Sequence, residues 1–175
     1  PNVPLLFNIL GACYQAKGLL ADSAQMFETA TKIKPDYAEA HFNLGVVLKA
    51  SGKTEEAIEC YKKAIYLVPN YPAAHNNLGN IYKDLNQLDD AVKSYETAIA
   101  IKPDYAEDYF NLGTTYKNLN KLNLAVDYYK KGIELMLRMN GMTRDDVQIV
   151  EFPYPDDWYD VPEMMGPEME NPSEL

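Results

Sequence analysis

The sequence predicts an all-α protein, a solenoid of about four helix-turn-helix units followed by an acidic, proline-rich extended tail. A first observation is duplication, since IKPDYAEAHFNLG at Ile33 returns as IKPDYAEDYFNLG at Ile101 with eleven of thirteen letters unchanged. A second is that half of this 68-residue spacing is itself a period, because Pro35, Pro69 and Pro103 lie 34 residues apart. A fixed period of this length is typical of an array of one supersecondary unit.

Several other residue types keep the 34-residue register. The aligned sets are tyrosines, Leu-Gly pairs, small residues and aromatic residues: Tyr37, Tyr71 and Tyr105; Leu10-Gly11, Leu44-Gly45, Leu78-Gly79 and Leu112-Gly113; Ala30, Ala64, Ala98 and Gly132; Phe27, Tyr61, Tyr95 and Tyr129. The register divides residues 1–139 into four units, at about 4–37, 38–71, 72–105 and 106–139.

Each unit contains the pattern of two helices, which the second unit shows clearly. In its first half, His41, Leu44, Gly45 and Leu48 have the spacing of one helical face. Gly52 follows this face and tolerates a positive φ, so it predicts the end of the first helix.

The second helix of this unit is predicted to begin at Thr54, as an N-cap, and to end before Pro69, because proline lacks an amide hydrogen. Its apolar residues form one stripe: Ala57, Ile58, Tyr61, Ala64 and Ile65. The small residues Gly45 and Ala64 let the two helices approach closely, since larger side chains there would overpack the contact.

This register of Leu-Gly, aromatic, alanine and proline positions resembles the tetratricopeptide repeat and covers about four-fifths of the chain. The units are similar in wording to the repeats that precede catalytic domains of the O-linked N-acetylglucosamine transferase kind, and to those of many bacterial tetratricopeptide proteins. The resemblance implies a right-handed superhelix of helix pairs whose first helices line the concave face.

The units also depart from the family pattern in three ways. Ser23 occupies a position that holds alanine in the other units, and Leu137 replaces the proline that closes them. Terminal repeats of an array are atypical, so departures in the first and last units are expected. The family's early tryptophan is replaced throughout, by Phe7, His41, His75 and Tyr109.

Negative charge is concentrated after the repeats. The chain has a net charge of −10, and residues 140–175 hold ten acidic residues and one basic residue, which gives −9. The array itself is therefore nearly neutral, whereas binding to phosphate backbones needs a basic surface. We expect no nucleic-acid partner.

The sequence contains no run of 18 apolar residues, so it predicts no membrane span. It opens at Pro1, almost directly in a repeat and without a basic-then-apolar leader, so we expect a piece of a longer protein, cytoplasmic by default. Cys13 and Cys60 lie in different units and are interpreted as small packing residues, not as a disulfide.

The segment after the repeats has no 34-residue echo and contains prolines that exclude long helices. Within residues 140–150, Thr143 and Asp146 have capping-box spacing, so a short helix that caps the fourth unit is expected. Residues 151–175 form the acidic tail, whose candidate anchors are aromatic: Phe152, Tyr154, Trp158 and Tyr159.

Three interpretations of this tail remain open. It is a linker toward a further domain, an extended segment packed on the array, or a motif recognised by a separate partner. Self-association through the tail is a further alternative, because its holder could be a neighbouring copy.

Inward-facing positions of the first helices predict a peptide-binding groove. One position carries Asn43, Asn77 and Asn111, and a carboxamide both donates and accepts hydrogen bonds, as an extended peptide backbone does. Around this asparagine ladder lie two more asparagines, three lysines and two phenylalanines: Asn76 and Asn80; Lys49, Lys83 and Lys117; Phe42 and Phe110. The lysines would meet acidic side chains of a ligand. The alternatives are that the asparagines bridge neighbouring helices and that the lysines form a solvated face.

No catalytic constellation or phosphate-binding glycine motif is visible, so we expect neither enzyme activity nor a cofactor. His41 and His75 are interpreted as buried packing residues and not as metal ligands, because no cluster of cysteines or carboxylates accompanies them. The paired acids Glu55-Glu56 and Asp89-Asp90 suit the N-termini of helices.

These features together predict a protein–protein interaction scaffold that binds an extended peptide or partner segment in an asparagine-lined groove. Two alternatives belong to other classes of protein. One is a substrate-recruiting module of a larger enzyme, of glycosyltransferase or sulfotransferase type. The other is a structural subunit of a large assembly, anchored by its C-terminal tail.

Overall fold

The computed structural model of the chain describes residues 3–143 and Asp146. These residues form eight α-helices joined by short turns, and no strand occurs among them. The helices, in chain order, are α1 (Val3–Ala16), α2 (Leu20–Ile33), α3 (Ala38–Ala50), α4 (Thr54–Leu67), α5 (Pro72–Asp84), α6 (Leu88–Ile101), α7 (Ala106–Asn118) and α8 (Leu122–Met139). The all-α prediction is confirmed.

The helices stack as successive hairpins. Each first helix packs on the second helix of its own unit, and each second helix packs on the first helix of the next unit. First helices also touch each other, α1 with α3 and α5 with α7, whereas no two second helices in the described part make comparable contact. The first helices therefore lie on the inner side of the array, and the predicted solenoid is confirmed.

A glycine in each first helix faces an aromatic ring of the second helix. A Cβ atom added to Gly45 would lie 2.8 Å from the Tyr61 ring, and one added to Gly79 would lie 2.9 Å from the Tyr95 ring. Both rings are almost fully buried, so neither has room to move away. This geometry confirms that Gly45 permits the close approach of α3 and α4. The other small residue of this prediction, Ala64, is fully buried.

The turns between the two helices of a unit repeat one backbone geometry. The predicted stop at Gly52 has φ +77, which L side chains rarely adopt. Asparagine tolerates this left-handed conformation better than most residues, and it replaces glycine in the later units. The equivalent positions are Gly18, Asn86 and Asn120, with φ +75, 57 and 58.

The prediction that Thr54 is the N-cap of α4 is wrong. Lys53 is the last residue before the helix, and Thr54 is its first helical residue, with no side-chain cap. The preceding turn closes when the Lys53 amide donates to the Leu48 carbonyl at 2.9 Å, which holds Lys53 outside the helix. Glu55 and Glu56 lie in the first turn, as predicted, where carboxylates interact favourably with the helix macrodipole.

The compact unit formed by the helices ends at Met142, and a second unit begins at Thr143. The amide and hydroxyl of Thr143 donate to Asp146 Oδ2 at 2.7 and 2.8 Å, as their capping-box spacing predicts. Of the predicted capping helix and the tail 151–175, everything else lies outside the described residues. That includes the candidate anchors Phe152, Tyr154, Trp158 and Tyr159.

Candidate protein-binding groove

The three ladder asparagines occupy the same position of the inner helices α3, α5 and α7. All three residues are half-buried, so none is sealed between helices. Each side chain forms one hydrogen bond to the preceding unit: Asn43 Nδ2 donates to Asn8 Oδ1 at 3.1 Å, Asn77 Nδ2 donates to the Tyr61 hydroxyl at 3.4 Å, and Asn111 Oδ1 accepts from Lys83 Nζ at 3.4 Å. The asparagines therefore do bridge neighbouring units.

The bonds to neighbouring units use only some of the hydrogen-bonding groups of these amides, as far as the described residues show. A carboxamide carries two N–H donors and an oxygen with two lone pairs. Asn43 and Asn77 each use one donor in the bonds above, and Asn111 uses its oxygen. The remaining groups lie on half-exposed side chains whose orientation the internal bonds restrict, which lowers the entropy lost when a ligand binds.

Asn76 and Asn80 belong to a polar chain between the third and fourth units. Asn76 is only 6% exposed, and its amide nitrogen donates to Asp108 Oδ1. Its oxygen accepts from Asn80 Nδ2 at 2.9 Å, and Asn80 Oδ1 accepts from the Tyr95 hydroxyl at 2.7 Å. Both asparagines thus use their amides inside the array, with Asp108 and Tyr95 as partners that the sequence analysis did not single out.

Burial perturbs the ionisable members of this chain. It raises the pKa of Asp108 to about 6, against the hydrogen bond from Asn76, which lowers it. It also raises the pKa of Tyr95 above its usual value. The Tyr95 phenol is therefore a neutral donor at physiological pH.

The two phenylalanines lie at the joints between helices, with part of each ring exposed. Phe42 packs on Tyr61 and Tyr71, with ring centroids 5.7 and 5.0 Å apart. The Phe110 ring lies 6.4 Å from the Tyr129 ring. Such distances are those of favourable aromatic pairs, so both phenylalanines stabilise the array whether or not a ligand touches them.

The three lysines of the predicted row have different surroundings. Lys49 Nζ lies 3.3 Å from Asp84 Oδ2 in the next unit. Lys83 donates to Asn111 and lies 6.0 Å from the centroid of the Tyr95 ring. Lys117 is exposed, and no contact with an acidic side chain occurs for it in the described part of the chain. The row is not uniform, and its cation most open to a ligand is Lys117.

Family models decide what kind of array this is. A model described as TPR repeat matches residues 11–52, 47–85 and 79–120, and one described as tetratricopeptide repeat matches residues 106–135. The chain belongs to the tetratricopeptide repeat family. No curated protein shows significant similarity to the sequence.

Solved structures share the fold of this tetratricopeptide array. Two crystal structures of MamA are 28% and 27% identical, with TM-scores of 0.77 and 0.74. The first alignment covers 81% of this chain and 82% of that chain, and the second covers 87% and 81%. A Pseudomonas aeruginosa pilF structure, 24% identical with a TM-score of 0.70, covers 76% of this chain and 61% of its own, and supports the fold alone.

Three of the residues that replace the family's early tryptophan tie their helices, α3, α5 and α7, to the loop before each helix. His41 Nε2 lies 2.9 Å from the Pro35 carbonyl, and the Tyr109 hydroxyl donates to the Pro103 carbonyl at 3.0 Å. His75 makes the same contact with Pro69 at 3.0 Å. The interpretation of the histidines as buried packing residues is corrected, because both are half-exposed and hydrogen-bonded. In the sequence, a proline lies six residues before each of these three residues, and this spacing could have predicted the contact.

The described residues of the tetratricopeptide array also bear on metal, membrane and thiol sites. No group of three or more histidine, cysteine or carboxylate side chains there is placed to hold a metal ion. None of the described helices combines the length and apolarity that crossing a bilayer requires. Cys13 is exposed and Cys60 half-buried, both as free thiols, and burial raises the pKa of Cys60 to about 11.

Proposed function

We propose that this tetratricopeptide array is a protein-interaction scaffold that holds an extended segment of a partner protein along Asn43, Asn77 and Asn111. Helical repeat arrays use their concave surfaces for binding. One observation carries the proposal, namely three carboxamides at the same position of successive units. Each is half-buried, and each has hydrogen-bonding groups that no described residue uses.

The binding mode follows from the chemistry of an amide. An extended peptide presents backbone N–H and C=O groups along its length, and a carboxamide can pair with either. Each such bond contributes only about 0.5–1.5 kcal/mol net, so the three asparagines must act together. An acidic side chain of the partner would add a contact with Lys117, which is exposed at the end of α7. The role is binding, with no chemical step.

The test uses peptides, because the partner's sequence is not needed to probe backbone recognition. A display library of unstructured twelve-residue peptides is selected on the whole chain, and the dissociation constant of an enriched peptide is measured by fluorescence anisotropy. Replacing Asn43, Asn77 and Asn111 together by alanine is expected to weaken binding about 10- to 1000-fold, from the loss of three bonds.

A matched control removes exposed carboxamides elsewhere. Asn70 and Asn123 are exposed and lie outside α3, α5 and α7, so their replacement by alanine is expected to leave affinity unchanged. Circular dichroism must show the same helicity in all variants. Unchanged affinity in the triple variant, or equal loss in the control, would exclude the asparagine ladder from binding.

A further inference from the structure

Asp108 is an exception in the register of the array. The equivalent positions of the three other units hold Leu6, Ala40 and Ala74, all apolar. In the second and third units these alanines are fully buried, and Asp108 is buried as well, with 1% of its surface exposed. A carboxyl group therefore occupies a position that is apolar in the other three units.

Only one of its two oxygens has a partner. Asp108 Oδ1 accepts from Asn76 Nδ2, the start of the chain that continues through Asn80 to the Tyr95 hydroxyl. Asp108 Oδ2 is buried and accepts no hydrogen bond from any described residue. A buried carboxylate with an unpaired oxygen is costly, and the cost falls when the group takes up a proton.

The charged groups around Asp108 do not compensate for this burial. Glu107 on the same helix raises the pKa of Asp108 further, and Lys102, between α6 and α7, lowers it. From α6 the facing ionisable group is the neutral Tyr95 phenol. On α5, Asp84 acts on the same phenol, and Lys83 Nζ lies 6.0 Å from the centroid of its ring. Burial remains the largest influence, and it favours the protonated acid.

We propose that Asp108 makes the joint between the third and fourth repeats pH-sensitive: the joint is packed with the acid protonated, and ionisation loosens α7 and α8 from α5 and α6. Because each repeat contacts only its neighbours, one joint can weaken while the rest of the array stays folded. This inference is independent of what the groove binds.

The other joints lack this device. At the first joint, Asn8 donates to Glu39 at 3.1 Å, but Glu39 is exposed and its charge is solvated. At the second joint the equivalent of Asn8 is Phe42, which packs on the Tyr71 ring with centroids 5.0 Å apart. The pH response is therefore expected in the fourth repeat alone.

The direction of the effect follows from linkage. The pKa of Asp108 rises from 3.8 to about 6 in the folded chain, so the folded state holds more protons than the unfolded state between these values. Stability is highest below the lower value, falls as pH rises through this window, and is level above it. The two-unit difference corresponds to a change of about 100-fold in the opening equilibrium of the joint.

The experiment has two readouts on the whole chain. The first is the carbon-detected NMR titration of the Asp108 carboxyl group, whose midpoint is expected near the raised value. The second is amide hydrogen exchange of α7 and α8, corrected for intrinsic rates, which is expected to show opening that increases about 100-fold between pH 4 and 7. Amides of α3 and α4 serve as the internal reference.

Three variants test whether the pH dependence comes from ionisation of Asp108 or from another acid. Asp108→Ala restores the residue of the second and third units, Asp108→Asn keeps the shape without the charge, and Glu39→Gln neutralises the exposed acid of the first joint. The first two are expected to abolish the pH dependence, and the third is expected to retain it. A titration midpoint at or below the ordinary aspartate value, or pH dependence that survives in Asp108→Asn, would overturn the proposal.

Discussion

Replacing Tyr95 by phenylalanine tests whether the buried polar chain contributes to the stability of the array. The Tyr95 hydroxyl donates to Asn80 Oδ1 at 2.7 Å, and Asn80 in turn donates to Asn76. Tyr95 is fully buried, so the substitution removes one hydroxyl group and leaves the ring packing unchanged. The equivalent Tyr61 offers a matched control.

The expected magnitudes follow from the geometry. Losing a neutral hydrogen bond costs about 0.5–1.5 kcal/mol, and leaving a buried acceptor without a donor costs about 1–3 kcal/mol. Asn80 is half-buried, so water compensates in part, and we expect Tyr95→Phe to destabilise the chain by about 1–2 kcal/mol. The Tyr61 hydroxyl accepts from Asn77 at 3.4 Å, near the limit of a hydrogen bond, so Tyr61→Phe is expected to cost about 0.5 kcal/mol or less.

The measurement is unfolding in urea, monitored by the circular dichroism signal of the helices. The curves are fitted with a nearest-neighbour repeat model, because a repeat array need not unfold in two states. Combining Tyr95→Phe with Asn80→Ala in a double-mutant cycle should yield a coupling energy of at least about 0.5 kcal/mol. Equal losses in the two tyrosine variants, or no coupling in the cycle, would refute the reasoning.

Three further perturbations have expected outcomes in the same assay. Gly45→Val should destabilise the chain by about 1–3 kcal/mol or more, since even the valine Cβ would lie 2.8 Å from the Tyr61 ring. A variant as stable as the wild type would show that the ring can move. Lys49→Gln should change stability by less than about 1 kcal/mol, because its ion pair with Asp84 is partly exposed; a larger loss would contradict this. Asp108→Asn should stabilise by up to about 3 kcal/mol at about pH 7 and hardly at all near pH 4, and a gain independent of pH would contradict the ionisation argument.

The fold could be predicted from the sequence because it depends on local contacts repeated at a fixed interval. A glycine and an aromatic residue recur as a pair in every unit, as Gly45 and Tyr61 do in the second, and in the array the glycine faces the ring, so one hairpin explains all four. The turn at Gly52 is equally local, since its positive φ depends on the residue itself. Thr54 was misplaced by one residue because cap geometry depends on where the preceding turn closes.

The near-identity at a 68-residue spacing also has a structural counterpart. Position by position, the first helices alternate between asparagine and phenylalanine, at Asn8, Phe42, Asn76 and Phe110. The joints alternate with them, since Asn8 and Asn76 form hydrogen bonds to the next unit, whereas Phe42 packs on aromatic rings. The sequence contained this signal, but its meaning depends on which side chains face each other across a joint.

The sequence by itself determined the helices and their pairing, because a 34-residue period specifies both the hairpin and its stacking. The inward positions of Asn43, Asn77 and Asn111 stay a prediction. Only the tertiary structure decided which amides bond inside the joints, how deeply Asn76 and Asp108 are buried, and which lysine is open. Hydrogen bonds and desolvation act over a few ångströms between residues some 30 positions apart. Whether such a bond forms, and how deeply a side chain is buried, depends on the distance between packed helices. The spacing of residues along the chain does not give that distance.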